Sequence, residues 1–159
     1  MCKLCWTLLV STVIAVIVAV VMIAGGNKTS LGTDGREVIL LKPEQRDLVL
    51  AEMRTFVVSL KEINEALATG NTELFQQAAM KVGFSAQQGV PLDMMKVLPM
   101  PFKKLGMSTH KKFDELAVSA KHGASDKELL GELSQLMDNC IACHAAYQLQ
   151  SPQPLANYK

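Results

Sequence analysis

The apolar positions of this chain fall into two regimes. Residues 6–24 are almost wholly apolar on every side, and no charge interrupts residues 4–27. Beyond them the pattern becomes periodic. Val49, Met53, Phe56, Leu60, Ile63 and Leu67 repeat at spacings of 4, 3, 4, 3 and 4, the stripe of an amphipathic helix. That helix is predicted over 43–69, with Pro43 suited to a first turn and Gly70-Asn71 to a stop. A second is predicted over 72–88, with Leu74, Phe75, Ala78, Ala79 and Val82 inward and Gly89 ending it. A loop bearing Pro91, Pro99 and Pro101 leads to a third, from about residue 101 to His122-Gly123, with Phe102, Thr109, Phe113, Leu116 and Ala120 on one face. The fourth opens on the capping pair Ser125 and Glu128 and ends by Pro152. Its stripe is Leu133, Met137, Cys140, His144 and Tyr147. No alternating stretch is long enough to predict a strand, and residues 38–41 read as a lead into the first periodic helix. The expected fold class is all-α, an antiparallel four-helix bundle preceded by one transmembrane helix.

The leading segment sets the domain plan. Nineteen residues, 6–24, would rise roughly 29 Å as a helix, close to the hydrocarbon thickness of a bilayer. Residues 1–25 are therefore read as a membrane anchor; the alternative is a long signal sequence cleaved after Gly26. No cysteine follows the apolar run, which removes a lipoprotein tether. Lys3, Lys28 and Arg36 give too little asymmetry to orient the span. Residues 26–37, rich in Gly, Ser, Thr and Asn, are expected to form a flexible linker. A tether of that kind reaches roughly 20 Å on average. Residues 38–151 form the helical domain, and 152–159 a tail.

Charge narrows the partners. There are 16 Lys+Arg and 15 Asp+Glu, and without Lys3 the two signs balance. A balanced domain with no basic run excludes nucleic acid as the expected ligand.

The chemistry lies in the cysteines, which form two CxxC pairs. Cys2 and Cys5 precede the span and have no histidine after them; they read as incidental, the alternative being a thiol or metal contact at the membrane face. Cys140 and Cys143 are followed at once by His144. A thioredoxin-like dithiol wants a strand-to-helix context, and a structural zinc site wants four ligands. Neither is met, since only His110 and His122 remain as histidines and the other cysteine pair lies across the span. Covalent haem suits the grouping: each thiol adds to a vinyl group, and the adjacent imidazole becomes the proximal iron ligand. One haem c is expected on Cys140 and Cys143, with His144 on its iron.

The stretch Cys140-Ile141-Ala142-Cys143-His144-Ala145-Ala146-Tyr147, in the last helix of four, resembles the class II c-type cytochromes, the cytochrome c′ family and its low-spin relatives. The resemblance covers about residues 42–149. It implies a four-helix haem bundle with Phe113 as a recurrent core aromatic; Tyr147, Phe113 and Phe56 are the candidates to pack on the haem. Gln148 and Val49 stand where the family often has basic residues. In the family the sixth iron position is filled from the first helix of the bundle, and the matching residue here is Met53. A methionine there implies an electron carrier; an apolar residue implies an open site for NO or CO, which is the alternative reading if Met53 only packs. Met94, Met95, Met100 and Met107 are lesser candidates. His110 is a half-exposed histidine in the plain reading and a haem-propionate contact in the sharper one. His122 reads as a charge at a helix end.

No catalytic constellation is visible, so the expected role is a non-enzymatic electron carrier. It would sit in a bacterial inner membrane as a single-pass protein with its haem domain in the periplasm. The expected partners are redox proteins or a larger membrane complex, and a homodimer is compatible with the resemblance.

Overall fold

The computed structural model describes residues 3–24 and 29–152. Cys2, the cleavage alternative at Gly26 and the tail from residue 153 lie outside them. The chain is mostly helical: α1 (Lys3–Ala24), α2 (Pro43–Thr69), α3 (Thr72–Met80), α4 (Leu92–Val97), α5 (Met100–Lys121) and α6 (Asp126–Ala146). A small sheet joins β1 (Ser30–Leu31), β2 (Glu37–Leu40) and β3 (Tyr147–Gln150) in that order.

Described side chains of α1 are all exposed and end at Val21, so the expected span over 6–24 lies partly outside them. Among the described residues no helix is long and apolar enough to cross a membrane.

Local chemistry fixes the ends of the domain helices. Pro43 opens α2, whose first turn is tied by the Gln45 side chain: it accepts the Lys42 N–H at 3.1 Å and donates to Asp93 at 2.9 Å. Gly70 closes α2 at φ 64°, a left-handed conformation that glycine adopts without a Cβ clash. Asn71 then caps α3 by accepting the Leu74 N–H at 3.0 Å. The expected pair Ser125 and Glu128 does cap α6.

Helices α2, α3, α5 and α6 share one core. Ile63 and Ala66 meet Phe75, Ala78 and Ala79, then Phe113, Leu116 and Ala120, then Leu129, Leu133 and Leu136. Helices α5 and α6 run antiparallel, since Ser119, Lys112 and Ser108 bond in turn to Glu132, the Gln135 carbonyl and Asn139. The buried stripe of α6 differs from expectation by one position. Leu136 is fully buried, whereas Met137 is 43% exposed. The inward stripe Leu129–Leu133–Leu136–Cys140–Cys143 shares Leu133 and Cys140 with the expected one and has the same helical spacing, so packing, not period, selects Leu136 over Met137.

Two further expectations are corrected. The second bundle helix stops at Met80 rather than Gln88, and a short 3-10 turn, Phe84–Gln87, follows. The Asp114 carboxylate accepts the Phe84 N–H at 2.9 Å and occupies the space a side chain on Gly83 would fill, so this turn is held against α5. The second correction is the sheet. Residues 38–41 do not merely lead into α2: β2 pairs in parallel with β3, Glu37 opposite Tyr147 and Leu40 opposite Gln150. Consequently α6 ends at Ala146, and Tyr147 turns to extended backbone instead of continuing the helix. β1 and the turn through Gly32–Gly35 also give structure to the segment expected to be a linker. Ile39 and Leu41, two residues apart and both buried, join Val49, Met94 and Leu98 in a second core, against which Tyr147 and Leu149 pack.

The register of α6 is open to a direct check. Leu136→Ala should cost about 2–5 kcal/mol in a denaturant titration, whereas Met137→Ala should stay within about 0.5 kcal/mol. Equal costs would put Met137 back on the buried stripe.

Candidate functional site

Towards the sheet end the helical domain encloses space. Helices α2, α4, α5 and α6, with the segment after α3, wall a cavity of about 630 Å³. That volume lies within the range of roughly 300–1,000 Å³ usual for small-molecule and cofactor sites. The lining is predominantly apolar: Val49, Phe56, Leu60, Val90, Leu98, Phe102 and Leu105 contribute, with Met53, Met94, Met95 and Met107.

Cys140, Cys143 and His144 line this cavity from α6, and Met53 lines it from α2. The pattern is helical arithmetic: 140, 143 and 144 share one face of a helix, three and four residues apart. Both cysteines are free thiols and half-buried; His144 is exposed. Burial pushes both thiols above their usual pKa, and for Cys143 the neighbouring Cys140 adds to the shift. A redox-active dithiol has the opposite perturbation, a thiolate stabilised near neutrality. Among the described residues no group of three or more His, Cys, Asp or Glu side chains is arranged to hold a metal ion. Cys5, the one described member of the first CxxC pair, is an exposed free thiol.

The aromatic candidates separate. Phe56 is on the cavity wall. Phe113 lies behind it, fully buried in the helical core, stacked on Phe56 at 5.4 Å between centroids and 11° between planes. Tyr147 heads β3 and meets Phe102 edge-on at 5.3 Å; it buttresses a lining residue and is not itself among the lining residues. Of the other methionines, Met100 is not in the lining, and Met94 is committed to the second core at 2% exposure. His122 is exposed at the end of α5.

His110 is the largest departure from the sequence reading. It is buried, at 3% exposure, on the cavity wall. Its Nδ1 lies 2.7 Å from the Val82 carbonyl oxygen, and its Nε2 lies 2.7 Å from the Gln87 amide nitrogen and 3.3 Å from a Glu52 carboxylate oxygen. Gln87 also donates to Glu52 at 2.6 Å. The ring tilts against Phe56 at 5.1 Å. Nδ1–H donates to Val82 in either charge state. When neutral, Nε2 accepts from Gln87; when protonated, it donates toward Glu52. Burial lowers the affinity of this imidazole for a proton, but hydrogen bonds to Glu52 and Val82 and the charges of Glu52 and Asp114 outweigh it. The pKa is raised.

Glu52, Gln87 and Lys103 are site residues that periodicity did not single out. Lys103 is buried, lines the cavity and donates to the Met95 carbonyl at 2.9 Å. Glu52 was one position off the seam. Gln87 was hidden in a helix that does not extend to it. Lys103 carried no local signal, because its burial depends on the α4 carbonyl that receives its ammonium.

The raised pKa of His110 has a defined consequence for stability. A group that holds its proton more tightly when folded stabilises the fold fully below its unfolded pKa, near 6.5, and loses that contribution as pH climbs through the folded value. Urea titrations of wild type and His110→Gln should therefore show the wild-type advantage largest on the acid side and shrinking toward alkaline pH. An advantage that grows with pH would mean the imidazole is held neutral. No protein-family model, curated protein or solved structure matches this chain, so its site stands on its own geometry.

Proposed function

We propose that this protein is a membrane-anchored, single-haem c-type cytochrome that carries one electron at a time on the periplasmic side of a bacterial inner membrane. The observation that carries this reading is the convergence of Cys140, Cys143, His144 and Met53 on one apolar cavity of cofactor size. The residues fit the group. Two unpaired thiols one helical turn apart would hold a haem through thioethers, and His144 beside them would take the proximal iron position. Met53, on the α2 wall, is the candidate for the distal position.

A haem bound there supplies a one-electron iron couple. The chain supplies its surroundings. Phe56 offers a ring to pack on, with Phe113 fixed behind it by stacking. The apolar lining excludes water, which together with a thioether ligand favours a higher reduction potential. His110 keeps its two nitrogens engaged with Val82, Gln87 and Glu52, so it holds α2, α5 and the segment after α3 in register. The partners are redox proteins, or the other subunits of a membrane complex. The protein acts as a carrier and not as a catalyst of its own.

Support for the anchor comes from α1. Its 22 residues include no charge after Lys3, and its described apolar side chains, from Trp6 through Val21, are exposed on every side. An uncovered apolar surface of that extent is costly in water and calls for lipid.

Expression in a host able to attach haem to CxxCH sequences tests the reading. The mature chain should gain the mass of one haem, retained on denaturation, and Cys140→Ala with Cys143→Ala should abolish it. Met53→Ala should remove the ferric sulfur-to-iron absorption band and speed CO binding to the reduced protein. Rapid CO uptake by the wild type would favour the gas-binding alternative, and a chain without added mass would end both readings.

A further inference from the structure

The end of the domain that carries the cavity is also the end at which the chain arrives from α1. Thr29 bonds to Glu37 at 3.1 Å, and Glu37 is paired with Tyr147, three residues beyond His144. Five residue steps separate Ala24, the last of α1, from Thr29. Fully extended, they span at most about 18 Å. Helix α5, by contrast, is 22 residues long, roughly 33 Å. The far turns at Gly70 and Gly123 are therefore out of reach of the end of α1, and the sheet end is held close to it.

This same end displays uncovered leucines. Leu31 and Leu92 are 76% and 77% exposed, and Leu40 and Leu48 are about half exposed. They come from β1, α4, β2 and the first turns of α2. The Gln45–Asp93 hydrogen bond draws α2 and α4 together, because Asp93 follows Leu92 and Gln45 lies one turn before Leu48. Helix α1 itself touches α4, the helix that Leu92 opens.

Resting on the reading of α1 as a membrane anchor, we propose that the sheet end of the domain sits on the lipid bilayer, with Leu31, Leu48 and Leu92 entering the headgroup boundary. A solvated leucine gains by entering that boundary, and the anchor turns docking into an intramolecular event of high effective concentration. The cavity then lies at the membrane-proximal end, so the group it holds exchanges with reactants at the membrane surface rather than deep in the periplasm. The far turns point away from the membrane.

Site-specific photo-crosslinking in the full chain tests this. A diazirine amino acid is placed singly at Leu92, at His122 on the far turn, or at Leu8 inside α1. Each chain is reconstituted in phosphatidylcholine vesicles, irradiated and analysed for lipid adducts by mass. All three positions are exposed, so the substitutions leave the core intact. Docking predicts adducts at Leu8 and Leu92, with Leu92 exceeding His122 several-fold. Adducts at Leu8 with Leu92 no higher than His122 overturn the docking and leave the anchor standing. No adducts at Leu8 overturn both.

Discussion

Everything at the site depends on α6 being one unbroken helix that serves two purposes. Its first three turns must face the shared core through Leu129, Leu133 and Leu136. Because the helical period is fixed, that commitment dictates where Cys140, Cys143 and His144 point one and two turns later. The core therefore sets the angle of the cysteine-bearing face, which lines the cavity together with α2. A shift of one residue in this register would carry both thiols out of the cavity lining.

The sheet is small but governs where α6 can end. By pairing β3 with β2, it takes Tyr147 out of the helix immediately after the His144 turn. The Arg36 guanidinium reinforces that end, donating toward the carbonyls of His144 and Tyr147 while paired with Asp34. A cation at a helix C-terminus meets orphan carbonyls and the negative end of the dipole. The segment that leads from α1 into the domain thus becomes a clamp on the most chemically loaded turn of the chain. It also links the placement of that turn to the place where the polypeptide arrives.

His110 shows how a polar group can be retained within an apolar wall. An imidazole without partners in that position would be expensive, since buried polar atoms need hydrogen bonds. Here Glu52 from α2, and Val82 and Gln87 from the segment after α3, supply them, and the cost of burial is offset. The same bonds pin the loop after α3 to the bundle. Asp114 does similar work a turn further on, through the Phe84 N–H.

Much of this was legible in the sequence. Helix α2 was bounded to the residue, because Pro43 and Gly70 act through local backbone geometry that needs no neighbour. The Ser125–Glu128 cap, and the sharing of one helical face by Cys140, Cys143 and His144, were local facts of the same kind. What the sequence could not settle involves partners distant along the chain. The β2–β3 ladder joins residues more than a hundred positions apart, and four-residue strands carry too little alternation to announce themselves. His110 looked like a surface residue because its one-position offset from the stripe matters only once Val82 and Glu52 are known to surround it. Local propensity and periodicity determine where helices run and which residues share a face; only packing decides which of those faces closes into core and which is left open as a cavity, because that depends on the summed shapes of segments the local sequence does not contain.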